Sequence, residues 1–158
     1  MFAIWSSWPE IWDNFWHVAL AFSLTATVGW QSERETQGAG IRTFPIVGMA
    51  SCGYLLILGP TPDPAAQSRL LQGLITGIGF IGGGAILKEG ATVRGTAVAA
   101  SVWNAGVIGS AVGMNHFGIA ITLAVLNFLT LLVLFPLKQK LDRRQSSAAP
   151  NGKNPLDA

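Results

Sequence analysis

Charged residues are absent from this chain in long blocks, unlike the short alternations of a half-buried sheet. Residues 14–32 contain no Asp, Glu, Lys or Arg, a stretch of 19. Residues 43–62 make a second such stretch of 20, residues 70–87 a third of 18, and residues 95–137 a fourth of 43. A helix rises about 1.5 Å per residue, so a bilayer core of about 30 Å takes roughly 20 apolar residues. The first three stretches each fit one crossing. The fourth fits two, with a break at Gly113-Met114-Asn115-His116-Phe117-Gly118. The pattern predicts five helices, near 14–31, 43–59, 70–88, 96–113 and 117–137. Several are short and imply tilt or local thinning of the bilayer. In hydrocarbon the backbone must satisfy its own hydrogen bonds, which leaves helices or a closed barrel. Ile119-Ala120-Ile121-Thr122-Leu123-Ala124-Val125-Leu126 lacks the alternation of barrel strands. The expected fold class is all-α, a polytopic transmembrane bundle of about five helices.

Composition sharpens this. Of 158 residues, 50% are hydrophobic and 19 are glycine, and the mean hydropathy is +0.44. Charged residues are 11%, against roughly 25% in soluble domains. That is too few to clothe a soluble enzyme of this size, and the apolar content is too high for a disordered chain. Cys52 is the sole cysteine, which excludes an internal disulfide and a cysteine zinc cluster. His17 and His116 are the only histidines, so no metal site and no cofactor is expected. A net charge of +2 is too weak for a nucleic-acid binder.

Lys and Arg set the expected orientation. With five crossings, Arg34, Arg42, Lys88, Arg94, Lys138, Lys140, Arg143, Arg144 and Lys153 share one side, and only Arg69 lies on the other. This puts the C-terminus in the cytoplasm and the N-terminus outside. The N-terminus lacks the basic n-region and cleavage site of a secretory signal. Trp5, Trp8, Trp12 and Trp16 follow one helical face, with Ser7 and Glu10 spaced as a capping box and Pro9 suited to a first turn. Residues 1–13 therefore read as an amphipathic lead-in at the outer interface, 14–137 as the membrane domain, and 138–158 as a basic, largely disordered tail.

Chemistry-bearing positions are few. In the third predicted helix, Gly73/Gly77 and Gly79/Gly83 are small-xxx-small pairs that permit close helix approach. Gly73, Gly77, Gly82, Gly84 and Asn104 are the expected helix-packing positions. Gly82-Gly83-Gly84 also leaves a broken helix open, since each glycine costs about 1 kcal/mol inside a helix. Gly77-x-Gly79-x-x-Gly82 matches the dinucleotide fingerprint but lacks its strand and acidic ribose ligand. The loops 33–43 and 88–96 place acids beside bases. They read equally as ordinary interfacial charge or as an ion-pair network of Glu33 or Glu35 with Arg42 or Arg94.

Five blocks then stand out: Gly29-x-x-x-Glu33-Arg34; Ala39-Gly40-Ile41-Arg42-Thr43; Gly77-Ile78-Gly79-Phe80-Ile81-Gly82-Gly83-Gly84-Ala85-Ile86-Leu87; Val93-Arg94-Gly95-Thr96; and Ala99-Ala100-Ser101-Val102-Trp103. In this order and spacing they resemble the MgtC/SapB family of bacterial inner-membrane proteins, over about residues 18–135. The resemblance implies a membrane domain of about five helices, a link to growth at low magnesium and to survival in host cells, and in some members restraint of the membrane ATP synthase. It marks Glu33, Arg34, Arg42, Thr43, Gly79, Gly83, Arg94, Gly95 and Trp103 as partner or functional positions, none catalytic. The chain departs from the pattern at Gly95-Thr96-Ala97-Val98, where the family often has Gly-Leu-Thr-Thr. It reads as a short form lacking the soluble C-terminal domain.

Mg²⁺ takes oxygen ligands, usually carboxylates, and no predicted crossing holds an Asp or Glu. Proton relays need ionisable groups in the membrane as well. Direct transport of Mg²⁺ or another ion, or an accessory role in it, is the alternative reading. The preferred one is a non-enzymatic regulatory protein, embedded in the lipid bilayer, that binds a membrane-protein partner and itself oligomerises through glycine faces.

Overall fold

The structure is a computed structural model and describes residues 8–35, 40–59, 63–89 and 92–148. Five helices and one hairpin account for most of them. In chain order they are α1 (Trp8–Glu35), α2 (Thr43–Ile57), α3 (Pro64–Gly84), β1 (Leu87–Glu89), β2 (Thr92–Arg94), α4 (Thr96–Gly113) and α5 (Phe117–Ala148). The all-α class and the number of helices agree with the charge-free blocks. Several boundaries do not.

Local chemistry explains each shift. α1 starts at Trp8 with Pro9 and Glu10 in its first turn, so the tryptophan-rich lead-in and the first crossing are one continuous helix. Trp5 and Ser7 lie outside the described residues. α3 starts at Pro64, earlier than the expected 70, because the Asp63 carboxylate accepts the Ala66 N–H at 3.1 Å and Pro64 suits the first turn. It ends at Gly84. The Gly82 and Gly83 carbonyls accept the N–H groups of Ala85 and Ile86 at 3.0 and 3.1 Å in a tightened last turn. The triple glycine therefore terminates a helix and does not break one. Residues 87–94 form an antiparallel hairpin with Leu87 opposite Arg94, absent from the sequence expectation. α5 passes through Pro136 and runs on to Ala148, beyond the expected end at 137, because residues 138–145 are good helix formers without glycine or proline.

Contacts between helices fix the topology. Gly48 of α2 lies against Thr25 of α1, and Gly109 and Gly113 of α4 lie against Gly48 and Cys52 of α2. Numbers rise together along α2 and α4, so these two helices are parallel. Ile78 and Gly82 of α3 meet Gly106 and Ala99, while Ser101 and Asn104 of α4 bond to Asn127 and Leu123 of α5. Those two pairs are antiparallel. The helices thus alternate direction. The α1–α2 connection and the hairpin lie at one end, and the start of α1, the α2–α3 connection and the α4–α5 turn at the other, the tryptophan end.

α4 is the hub and packs on all four other helices. Two apolar clusters stack along it. The one toward the hairpin draws Val28, Phe44, Ile78, Val102 and Leu131 from all five helices. The one toward the tryptophan end draws Ala21, Cys52, Ile108, Val112 and Ala124 from four, and α3 contributes nothing to it. α3 buries only Ile78 and Gly82 among its own residues. It therefore leans on the bundle near its C-terminal half and stands away at its start. At the tryptophan end His17 staples α1 to the α4–α5 turn, with its Nδ1 2.8 Å from the Asp13 carbonyl and its Nε2 2.8 Å from Asn115 Oδ1.

Polar side chains are buried beside the apolar clusters, and large apolar ones face outward. Thr25, Ser51 and Ser101 are buried between helices, while Phe80 is 86% and Ile57 81% exposed. The apolar segment Phe117–Leu134 of α5 is long enough to cross a membrane, yet only 17% of it is buried in the chain. A soluble core helix of that character would be covered. An uncovered one suits a surround of hydrocarbon. Thr96–Gly113 also qualifies by length and apolarity, and Thr43–Ile57 is apolar but shorter. Close helix approach through small residues, with hydroxyls bonding their own helix (Thr25 Oγ1 to the Ala21 carbonyl, 2.6 Å), is the packing style of membrane bundles.

Cys52 is fully buried against α4. The folded protein is expected to resist a membrane-permeant maleimide and to label stoichiometrically only after denaturation. Fast labelling of the native protein would contradict the α2–α4 contact.

Candidate functional site

Two groups of residues were singled out from the sequence, a charged one and a glycine-rich one. The charged group gathers where α1 ends and α2 begins. Gly29 and Glu33 lie one turn apart on the face of α1 toward the start of α2. A Cβ on Gly29 would stand 3.1 Å from both the Gly40 carbonyl oxygen and Phe44 Cβ, so the absent side chain makes room for the incoming chain. The Glu33 carboxylate accepts the Ile41 N–H at 2.7 Å. Gly40 lies so tightly on Glu33 that a Cβ there would come within 2.6 Å of the Glu33 Cβ. The Gly40 carbonyl in turn accepts the Phe44 N–H at 3.2 Å and opens α2.

This explains the Gly29-x-x-x-Glu33 and Gly40-Ile41-Arg42-Thr43 blocks as one device that sets the entry of α2. Glu33 spends its charge on the loop backbone, and among the described residues it forms no ion pair with Arg42. Arg42 occupies the N-cap position of α2 with its side chain exposed, and Thr43 begins the helix half-buried. Arg34 lies in the last turn of α1, and its side chain, like that of Glu35, is outside the described residues. Replacing Glu33 by alanine is expected to cost about 1 kcal/mol, the usual net value of a hydrogen bond. Glu33→Gln keeps an acceptor and should retain most of it. Thermal unfolding of the detergent-solubilised protein checks both.

The hairpin delivers the second part. Arg94 ends β2 with its side chain exposed and engaged in an interaction. Gly95 follows in the left-handed region at φ +83°, as the N-cap of α4. A Cβ on it would lie 2.0 Å from the Ala85 carbonyl oxygen. Glycine is required here twice over, by conformation and by space. One turn inside α4, Ala99 meets Gly82 of α3, where a Cβ would stand 3.1 Å from the Ala99 carbonyl.

The glycines of α3 divide by face. Only Gly82 of the expected packing set Gly73, Gly77, Gly82 and Gly84 takes part in a helix contact within the chain. At Gly73, Gly77, Gly79, Gly83 and Gly84 an added Cβ would meet no atom within 4 Å. Among the described residues Gly73, Gly77 and Gly84 thus meet no other helix closely, because the helix turns Ile78 and Gly82 toward α4. With about 3.6 residues per turn, Gly73 and Gly77 fall on the flank toward α2, and Gly79 and Gly83 on the opposite one. The stretch Gly77–Gly82 lies wholly inside α3, so the dinucleotide pattern has no strand-to-helix turn to occupy.

The flank bearing Gly79 and Gly83 continues onto α4. Trp103 is 45% exposed there, on a stripe of α4 that includes Thr96 and Ala100. α3 and α5 border this stripe, each packed on α4. Asn104 marks its α5 side, where its Nδ2 donates to the Leu123 carbonyl at 3.4 Å. Beside it the Ser101 hydroxyl donates to Asn127 Oδ1 at 3.0 Å, and Asn127 Nδ2 is buried without a partner. Gly79, Gly83 and Trp103 therefore share one open, apolar side of the bundle. Among the described residues no cluster of three or more His, Cys, Asp or Glu is placed to hold a metal ion.

A helical bundle with a charged, backbone-anchored end and long uncovered apolar helices defines an integral-membrane protein. The chain belongs to the MgtC family, whose profile matches residues 18–140. It is 29% identical over 125 residues to slr0014, an uncharacterized protein of Synechocystis, covering 79% of this chain and 53% of that protein. It is 29% identical over 128 residues to protein MgtC of Salmonella typhimurium, covering 81% and 55%. To protein MgtC of Brucella abortus it is 28% identical over 136 residues, covering 84% and 57%. The chain thus spans about half the length of these relatives. No solved structure matches it.

Proposed function

We propose that this protein is a regulatory component of a bacterial inner membrane, of the kind its family implies in adaptation to low magnesium, and that it acts by binding a membrane-protein partner. The observation that carries this reading is the flank of Gly79, Gly83 and Trp103. It is apolar, uncovered within the chain, and free of side-chain bulk at two positions one turn apart. Small residues at that spacing let a second helix approach backbone to backbone, which is the main route to affinity where lipid cancels the hydrophobic effect. The exposed cation Arg42 stands at the hairpin end, available to an acidic loop of the partner. The excess of Lys and Arg at that end supports a cytoplasmic hairpin and C-terminus with the tryptophan end outside. Family resemblance makes the membrane ATP synthase the first partner to test, and the same flank is a route to self-association.

Co-purification from native membranes in mild detergent tests the reading. Gly79→Leu and Gly83→Leu should each abolish recovery of the partner while leaving the yield of folded protein unchanged, because both positions are open. Undiminished recovery with both variants would refute binding at this flank. A cation flux into liposomes by the purified protein alone, lost on changing Asn104 or Thr76, would favour the transport alternative.

A further inference from the structure

The opposite flank of α3 encloses a groove. A cavity of about 440 Å³ lies between α2 and α3, in the size range of small-molecule sites. It exists because α3 buries only Ile78 and Gly82, with Leu74 packed partly beside them, and takes no part in the apolar cluster at the tryptophan end. Its body is apolar, from Val47 on α2 and Leu74 and Ile81 on α3, and Gly73 and Gly77 widen it. Apart from the Ser51 hydroxyl, its polarity lies toward the tryptophan end, where Arg69 and Tyr54 line the wall. Arg69 is exposed and makes no hydrogen bond or ion pair among the described residues. Among the described residues it is the sole lysine or arginine at that end.

We infer that this groove holds one anionic phospholipid, with an acyl chain along Gly73 and Gly77 and the phosphate at the Arg69 guanidinium. The argument is one of matched shape and charge. A lipid is apolar along its length and anionic at one end, and the groove is apolar along its length and cationic at one end. A guanidinium offers a planar fork of donors that fits phosphate oxygens. Tyr54 belongs at the same level, since an aromatic ring with a hydroxyl prefers the headgroup boundary. A second helix in the groove would instead leave Arg69 facing apolar side chains without a counter-charge. The inference rests on the membrane placement of the bundle and not on the partner flank of Gly79 and Gly83.

Native mass spectrometry of the full chain, exchanged into detergent with dioleoyl phosphatidylglycerol or dioleoyl phosphatidylcholine, tests it. The wild type should retain one phosphatidylglycerol per chain, about fivefold in preference to phosphatidylcholine, the ratio expected for one basic residue at a headgroup. Arg69→Gln should remove the preference. Gly73→Leu, whose Cβ would meet no atom within 4 Å and whose side chain would enter the groove, should reduce retention of both lipids. Gly79→Leu, on the other flank, should change neither. Equal retention by wild type, Arg69→Gln and Gly73→Leu would overturn the inference. So would a lipid-free dimer that Gly73→Leu dissociates, since a second copy would then occupy the groove.

Discussion

Replacing Gly109 by alanine is expected to destabilise the bundle by about 2 kcal/mol or more, the upper part of the range for overpacked cores. At this position α2 and α4 touch through their backbones. A Cβ on Gly109 would lie 2.0 Å from the Gly48 carbonyl oxygen and 2.8 Å from its carbon. Neither is the end of a flexible side chain, so the helices themselves must separate. Gly48 cannot retreat, because its other side abuts Thr25, at 2.7 Å from a Cβ built there. Separation would also loosen Gly113 from Cys52 one turn on. Helix propensity runs the opposite way, since alanine is favoured over glycine by about 1 kcal/mol in a helix. Gly73→Ala, in open space, should therefore stabilise slightly while Gly109→Ala destabilises. Unfolding midpoints in a denaturing-detergent titration measure both. A Gly109→Ala protein as stable as wild type would contradict the α2–α4 contact.

The second large effect is expected at Gly95. Its φ of +83° costs an L-residue about 1–2 kcal/mol, and a Cβ would also strike the Ala85 carbonyl oxygen. Gly95→Ala should lose about 2–4 kcal/mol from the two effects together. Asparagine tolerates the left-handed region better than alanine, yet it carries the same Cβ. Gly95→Asn should therefore rescue only part of the loss. Full rescue would mean that conformation alone is at stake and that the chain is not pressed against Ala85. The consequence reaches α3, because Gly95 positions Ala99, which is where Gly82 docks. Both variants should release α3 toward proteolysis before the rest of the bundle.

Much of this architecture was legible from where charge is missing. The span over 96–113 coincides with α4, and the start of α5 at Phe117 was also expected, because polar loop residues and helix ends coincide there. For α3 they do not. Arg69 opened the uncharged stretch five residues after Pro64, since absence of charge reports depth in hydrocarbon, whereas Asp63 and Pro64 set the hydrogen-bonded start. The hairpin at 87–94 carries too few residues to show a period. The glycine spacing of α3 was visible, but spacing does not say which face a helix turns inward. Gly109 and Gly113, at the same small-xxx-small spacing, hold close backbone contacts with α2 and were not read as a packing pair. The charged loops read equally as interfacial charge or as an ion-pair network, and neither reading showed the bond the structure holds: the Glu33 carboxylate accepts the Ile41 amide, beside the close approach of Gly40 to α1.

Topology mapping tests the central claim of five alternating membrane crossings most directly. On a Cys52→Ser background, single cysteines at Glu10, His116, Lys88 and Lys153 would be probed with a membrane-impermeant maleimide on spheroplasts. Glu10→Cys and His116→Cys should label at once, and Lys88→Cys and Lys153→Cys only after permeabilisation. Labelling of Glu10→Cys and Lys153→Cys from the same side would require an even number of crossings and contradict the bundle described here.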